Sequence, residues 1–338
     1  MLFHYIKMAI RNLIKYKVQS IISIIGVSIG LVSFILGYQW LKYETSYDGF
    51  YPRSSDIYKV ASTEIQTGKK NQNLPFHLID ALGNDFPEIE EVIPIYSRYG
   101  SDFKDGDRVL SESEQEFVDE SFFIYFPPKV ICGKETGLLD KDENLVITRS
   151  YAIKNFGSPE DALNKKLITG YDQNLEIVSV IEDYPENSMF SYITSFEKDK
   201  FTRRFAKDVP EDLKWKQDEV KIYFCLNNKV NKKYFEQKLA NYLIDNRYNP
   251  ELKLEIIPLT AVRHSFGTDH SFNINYIRIF AVTTLILLVC VLLNFINLWM
   301  NNIFNRIKEM KLRYSIGAGR FSLAWQLLME IILQFVFI

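Results

Sequence analysis

Histidine and cysteine are scarce in this chain: four His (His4, His77, His264, His270) and three Cys among 338 residues. That scarcity removes most metal chemistry. HSFGTDH at 264–270 gathers two His around Asp269, but its spacing matches no standard zinc or iron pattern and reads as turn and interface residues. Cys290 sits in an apolar run, which leaves Cys132 and Cys225; two cysteines define no disulfide framework, and separate buried thiols are expected. G-x-S-x-G, H-E-x-x-H and GxGxxG are all missing. So is G-x-x-x-x-G-K-[ST], which excludes nucleotide hydrolysis by the P-loop route within this chain. The adjacent acids Glu90-Glu91 and Glu182-Asp183 suit solvated strand ends better than acid–base work. Net charge is also nearly absent: 40 Lys and Arg against 42 Asp and Glu leave −2, with no basic field for nucleic acid. These gaps point to a chain that is not an enzyme, with no catalytic residue, cofactor site or metal site.

What the sequence does have is long apolar runs at its two ends. IFAVTTLILLVCVLLNFINLWM, at 279–300, is uncharged and long enough to cross a hydrocarbon core of about 30 Å. It leads into NNIFNRIKEMKLRYSIGAGR (301–320), where Arg306, Lys308, Lys311, Arg313 and Arg320 outweigh Glu309. Lys and Arg resist translocation, so this segment marks the cytoplasmic side. Ile303, Ile307, Met310 and Tyr314 share one stripe at helical spacing, and Glu309 precedes Arg313 by four residues, until Gly317 and Gly319 interrupt. A short cytoplasmic helix that receives a partner is expected here.

A second uncharged run covers 18–41, and its length favours a retained anchor over a cleaved signal peptide. Gly26, Gly30 and Gly37, with Ser23, Ser28 and Ser33, give it small surfaces for helix–helix contact. Before it, residues 1–17 predict an amphipathic interfacial helix, with Lys7, Arg11, Lys15 and Lys17 toward lipid head groups. The basic N-terminal flank places the N-terminus inside and 43–276 outside. From Phe321 the chain turns apolar again; Glu330, in the middle of 321–338, costs about 2.5–3.5 kcal/mol in a bilayer and expects protein neighbours. This last stretch is expected to be the start of a third transmembrane helix, truncated.

Between the apolar ends, strand and helix signals intersperse, which predicts an α+β extracytoplasmic domain inserted between transmembrane α-helices. Strands are expected over Asp56–Ser62, Val92–Ser97 (demoted to an edge by Pro94), Val109–Asp119, Leu145–Thr148, Leu175–Ile181, Ile222–Leu226 and Leu252–Leu259. Helices are expected over Pro75–Phe86, Arg149–Phe156 ended by Gly157, a start at Ser158-Pro-Glu-Asp161, and Lys232–Asp245. An internal break is expected near 185–215, where KDKFTRRFAKDVPEDLKWKQDE interrupts the pattern.

Several segments, in order, resemble the FtsX/MacB-like permease family of ABC transporters. They are FHYIKMAIRNLIKYKVQSIISIIGVSIGL, YETSYDGFYPRSSDIYKV, FVDESFFIYF, NLVITRSYAIKNFGSPEDALNKKL, IVSVIEDYPENSMF and LLNFINLWMNNIFNRIKEMKLRYSIGAGRFSLAWQLLMEIIL. Within the last, Arg306, Lys308, Glu309, Arg313, Gly317 and Ala318 fall on the family pattern, as does Glu330. The resemblance implies a MacB-like periplasmic core domain over 43–276 and a multi-pass protein of the bacterial inner membrane. It implies docking of a separate cytoplasmic ATPase subunit at the coupling segment, with Lys311 alongside the residues just named. It also implies a dimer of permease units, a periplasmic or outer-membrane partner, and mechanical relay in place of a channel. Family members have at least four spans per unit, so the chain breaks off early against that pattern. A membrane-anchored sensor or scaffold without an ATPase is the competing reading.

Overall fold

A computed structural model describes residues 10–11, 14–15, 17–100, 103–170, 173–199, 215, 218–227, 230–246, 248–266, 274–317 and 319–336. They form two compact units, 1–43 with 274–338, and 44–273.

Helix α1 (Lys17–Thr45) leads into the second unit. There follow β1 (Ile57–Glu64), β2 (Lys70–Asn71), β3 (Leu74–Pro75), α2 (His77–Asp85), β4 (Ile89–Gly100), β5 (Lys104–Asp105), β6 (Arg108–Val109) and β7 (Ser113–Val118). Next come α3 (Glu120–Tyr125), β8 (Val130–Gly133), β9 (Asn144–Thr148), α4 (Arg149–Phe156), α5 (Pro159–Ala162), β10 (Lys166–Ile168) and β11 (Asn174–Ile181). The unit closes with β12 (Ser195–Lys198), β13 (Asp218–Leu226), α6 (Lys232–Ala240), α7 (Tyr242–Asp245), β14 (Leu252–Pro258) and α8 (Val262–Ser265). Among the described residues the strands join one mixed sheet in the order β14-β1-β13-β4-β7-β12-β9-β11-β10-β5-β6, with β2, β3 and β8 added at the flanks. Only β7 with β12 and β9 with β11 run parallel there.

The period of two along the strands explains how this sheet is buried. On β13, Val220, Ile222 and Phe224 face a core shared with Leu78 and Leu82 of α2 and Phe235 and Leu239 of α6. Tyr223 and Cys225, on the opposite side of the same strand, join a second core. On β9, Val146 joins that second core, while Leu145 and Ile147 pack with Tyr151 and Ala152 of α4. One face of the sheet therefore carries a single continuous core, and the other carries two separate ones under helices. Aromatic rings dominate the shared face: Phe122 and Phe126 from α3 meet Phe190, with Phe126 and Phe190 centroids 4.7 Å apart.

Local signals explain most elements. Ser158 caps α5 by accepting the Asp161 amide at 3.1 Å, with Pro159 next in line. Gly157 takes φ 92° and closes α4 through its N–H to the Ile153 carbonyl at 3.0 Å. Three expectations need correction. Pro94 lies on an interior strand, not an edge strand, because β13 pairs along one side of β4 and β7 joins on the other only from Ile95 onward. The half of β4 that holds Pro94 thus has a ladder on one side only. The expected strand 109–119 is broken after Val109, where the buried Leu110 donates its N–H to the Phe103 carbonyl at 2.9 Å instead of continuing a ladder. Asn241 divides the expected helix 232–245 into α6 and α7. Cys132 and Cys225 are free thiols on β8 and β13, strands that do not adjoin. Within the 185–215 stretch, β12 lies in mid-sheet between β7 and β9, and 200–214 fall outside the described residues.

The chain leaves this unit for α9 (Ile274–Ser315) and α10 (Arg320–Val336). Over Ile24–Thr45 and Ile274–Asn297, α1 and α9 are long and apolar enough to cross a membrane. Their contact depends on the glycines. A Cβ on Gly30 would run into Val291 Cγ2, one on Gly37 would meet Thr284 at 3.0 Å, and Gly26 lies against Asn294. Lacking Cβ atoms, these glycines let the two backbones approach closely. Ser33 bonds back to the Ile29 carbonyl of its own helix.

Candidate functional site at the root of the sheet unit

Three separated stretches meet where the sheet unit begins and ends: 44–51, 184–190 and 259–266. Glu44 is in the last turn of α1 and Arg263 is on α8, 219 residues later, yet they form a bidentate pair. Arg263 Nε donates to Oε2 at 2.9 Å and Nη2 to Oε1 at 3.3 Å, with the carboxylate side chain only 3% exposed. The guanidinium lies 3.9 Å from the centroid of the Tyr47 ring, a cation–π contact that adds to the pair. His264 Nε2 lies 3.1 Å from the Glu44 carbonyl. The chain leaving α1 and the chain approaching α9 are thereby clamped together.

Asp48 fastens this clamp to the sheet. It sits at φ 53°, a left-handed conformation that a short polar side chain tolerates. Its Oδ1 accepts from Ser188 Oγ at 2.8 Å and from the Met189 N–H at 3.1 Å, and its own N–H donates to the Asn187 carbonyl at 3.1 Å. Asn187 Nδ2 donates to Ser46 Oγ at 2.9 Å, Tyr47 donates its hydroxyl to the Glu186 carbonyl, and Tyr51 and Ser188 hydroxyls are 2.8 Å apart. The segments YETSYDGFY and YPENSMF are therefore two halves of one fastening.

Burial pushes the Asp48 carboxyl up to about 6, opposed by the bonds from Ser188 and Met189 and by the charge of Arg263. Because the folded value lies above the ordinary 3.8, the stabilisation is complete below pH 3.8 and is lost as pH rises through 6. The shift corresponds to about 3 kcal/mol at most. Asp48→Asn keeps the acceptor oxygen and the backbone preference, so it is expected to match or exceed the wild type at pH 7. The wild type should lose stability between pH 5 and 7 and the variant should not, as urea midpoints at the two pH values will show.

The residues singled out in the sequence lie in the other unit. Arg306, Lys308, Glu309, Lys311 and Arg313 occupy the final turns of α9, which continues unbroken from the apolar run. Ile303, Ile307 and Met310 are half-buried while Lys308 and Lys311 are exposed, as the stripe predicts; Tyr314 is exposed as well, beneath the Arg320 guanidinium. Gly317 follows at φ 101°, and Ala318 is outside the described residues. Glu330 is on α10 and Lys17 opens α1; Arg11 and Lys15 are exposed, and Lys7 is outside the described residues. Of the HSFGTDH stretch, His264 belongs to the clamp, and Asp269 and His270 lie outside the described residues. Among the described residues no group of three His, Cys, Asp or Glu is placed to hold a metal. Sequence reasoning gave Glu44, Asp48 and Arg263 no role in a site. Their signal was their position next to the ends of the apolar runs.

A family model described as the MacB-like periplasmic core domain matches residues 20–242. No curated protein matches the sequence. Among solved structures, a domain of a protein described as a permease from Porphyromonas gingivalis is 19% identical, covers 62% of this chain and 92% of its own, and has a TM-score of 0.49. The periplasmic region of MacB from Actinobacillus actinomycetemcomitans is 14% identical over 62% of this chain and 91% of its own, with a TM-score of 0.45. The extracellular domain of the ABC-type transporter YknZ from Gram-positive bacteria is 12% identical over 60% and 99%, with a TM-score of 0.42.

Proposed function

This chain belongs to the MacB-like periplasmic core domain family of ABC-type transporter permeases, and from that premise we propose that it couples ATP hydrolysis by a separate cytoplasmic subunit to movement of its own periplasmic unit. In this reading α1 and α9 cross the inner membrane, residues 44–273 lie in the periplasm, and the N-terminus and the end of α9 lie in the cytoplasm. Arg306, Lys308, Glu309, Lys311, Arg313, Gly317 and Ala318 receive the ATPase. Lys7, Arg11, Lys15 and Lys17 hold the lipid interface, and Glu330 faces protein inside the membrane. Two such chains work together as a dimer.

The observation that carries this reading is the clamp. A domain merely tethered by its anchors needs no buried ion pair where the chain enters and leaves it. Here Glu44 and Arg263 join those two passages, and Asp48 bonds them to the loop before β12 in the middle of the sheet. In this reading, displacement at Glu44 or Arg263 is delivered to the sheet through fixed bonds. Work is done on the periplasmic side by motion, without a substrate path through the bilayer. Purification of the full chain in mild detergent from its native host is expected to retain an ATP-binding subunit. Recovery of the chain without one would favour the anchored sensor.

A further inference from the structure

Lys59 is a lysine in the wrong place for an ordinary surface cation. It lies on β1, inside the sheet unit, and is 1% exposed. Its Nζ donates to Gln72 Oε1 at 2.9 Å and lies 5.3 Å and 4.9 Å from the Tyr223 and Phe266 ring centroids. Among the described residues it forms no ion pair. An ammonium has three N–H groups, and a buried one with a single oxygen acceptor leaves most of its donor capacity unmet.

Glu116, on β7, is also 1% exposed. Its Oε1 accepts from Ser97 Oγ at 2.8 Å and Tyr192 OH at 3.1 Å, and Lys221 Nζ lies 3.8 Å away. Its other oxygen, Oε2, is fully buried and has no partner among the described residues. Lys59, Gln72, Glu116, Tyr192 and Lys221, with Ile95, Met189, Phe190 and Tyr223, line one pocket that opens to solvent, with a cavity volume of about 20 Å³. The site thus sets two lysines against one carboxyl group, an excess of donors, with an oxygen that needs a proton or a donor. Burial pushes Glu116 toward its protonated form, in which Oε2 becomes a further donor, and pushes Lys59 toward the neutral amine, so that an anion beside Lys59 would favour its charged form.

The geometry points to a site for one small monovalent anion, of halide or formate size, held by Lys59 and Glu116 Oε2–H with Lys221 at its side. The anion would supply the acceptor that Lys59 lacks and compensate the excess charge. The pocket also shares Met189 and Phe190 with the loop that grips Asp48. The site stands independently of any ATPase partner.

The test uses the full chain in detergent at constant pH and ionic strength, exchanging gluconate for chloride or for formate. Chloride at ten times its Kd is expected to raise Tm by about 3 °C. Formate acting without chloride would identify a carboxylate ligand, and chloride acting alone a halide. Lys59→Met fills the same ring-lined space without charge and should abolish the rise, whereas Lys70→Met, which removes a surface ion pair with Glu255, should leave it intact. Equal Tm values in all three salts, or a rise that survives in Lys59→Met, would overturn the site and leave a bridging water in its place. Should Lys59→Met fail to fold, bromide and formate soaked separately into wild-type crystals decide: density for either beside Lys59 supports the site, and its absence for both overturns it.

Discussion

Arg263→Met is expected to destabilise the sheet unit by about 3–5 kcal/mol, the range for stranding one partner of a buried ion pair. The cost comes from what remains. Glu44 would keep a carboxylate 3% exposed, with both oxygens deprived of donors, and Tyr47 would lose the cation over its ring. Thermal unfolding of the full chain in detergent should show a drop in Tm on the order of 10 °C. Glu44→Gln combined with Arg263→Met removes both charges and should recover much of the loss, because a neutral pair leaves no buried charge behind. A single variant within 1 kcal/mol of wild type would mean that the pair is solvated in practice. If the double variant folds well yet fails in transport, the clamp serves force transfer and not folding.

Reversing the charges at Arg306, Lys308 and Arg313 together is expected to abolish coupling while sparing the fold. If these residues meet an acidic surface on the ATPase, each reversal replaces attraction with repulsion. Like charges held in contact cost several kcal/mol, and 2.7 kcal/mol already lowers affinity about 100-fold. The ATPase should lose its stimulation by the permease, and the urea midpoint of the periplasmic unit should stay within error of wild type. Unchanged stimulation would remove α9 from the list of docking elements. Loss of stimulation together with a lower midpoint would show that the substitutions act through stability.

The regular elements were legible in the sequence because their signals are local. Gly157 and the Ser158-Pro159 pair mark the end of one helix and the start of the next, and both act through bonds within five residues. The glycines of α1 were legible too, since a small residue in an apolar helix points to close packing whatever its partner. Pro94 misled because its effect depends on which flank of β4 is paired at that position, and this is set by the distant β7 and β13. The root site was hidden for the same reason. Asp48 meets Ser188 across 140 residues and Glu44 meets Arg263 across 219, and no periodicity reports a contact of that kind. Glu116 and Lys59 looked like ordinary strand charges, and only the three-dimensional sheet shows that both are enclosed.

The unbroken course of α9 has a mechanical corollary. Its 42 residues measure about 63 Å, roughly twice the thickness of a hydrocarbon core. With no proline or glycine between Ile274 and Ser315, the helix lacks a joint that could absorb a twist. Under the proposed coupling, torque applied at its basic end would be conveyed along this one rod through the apolar segment, as along a drive shaft.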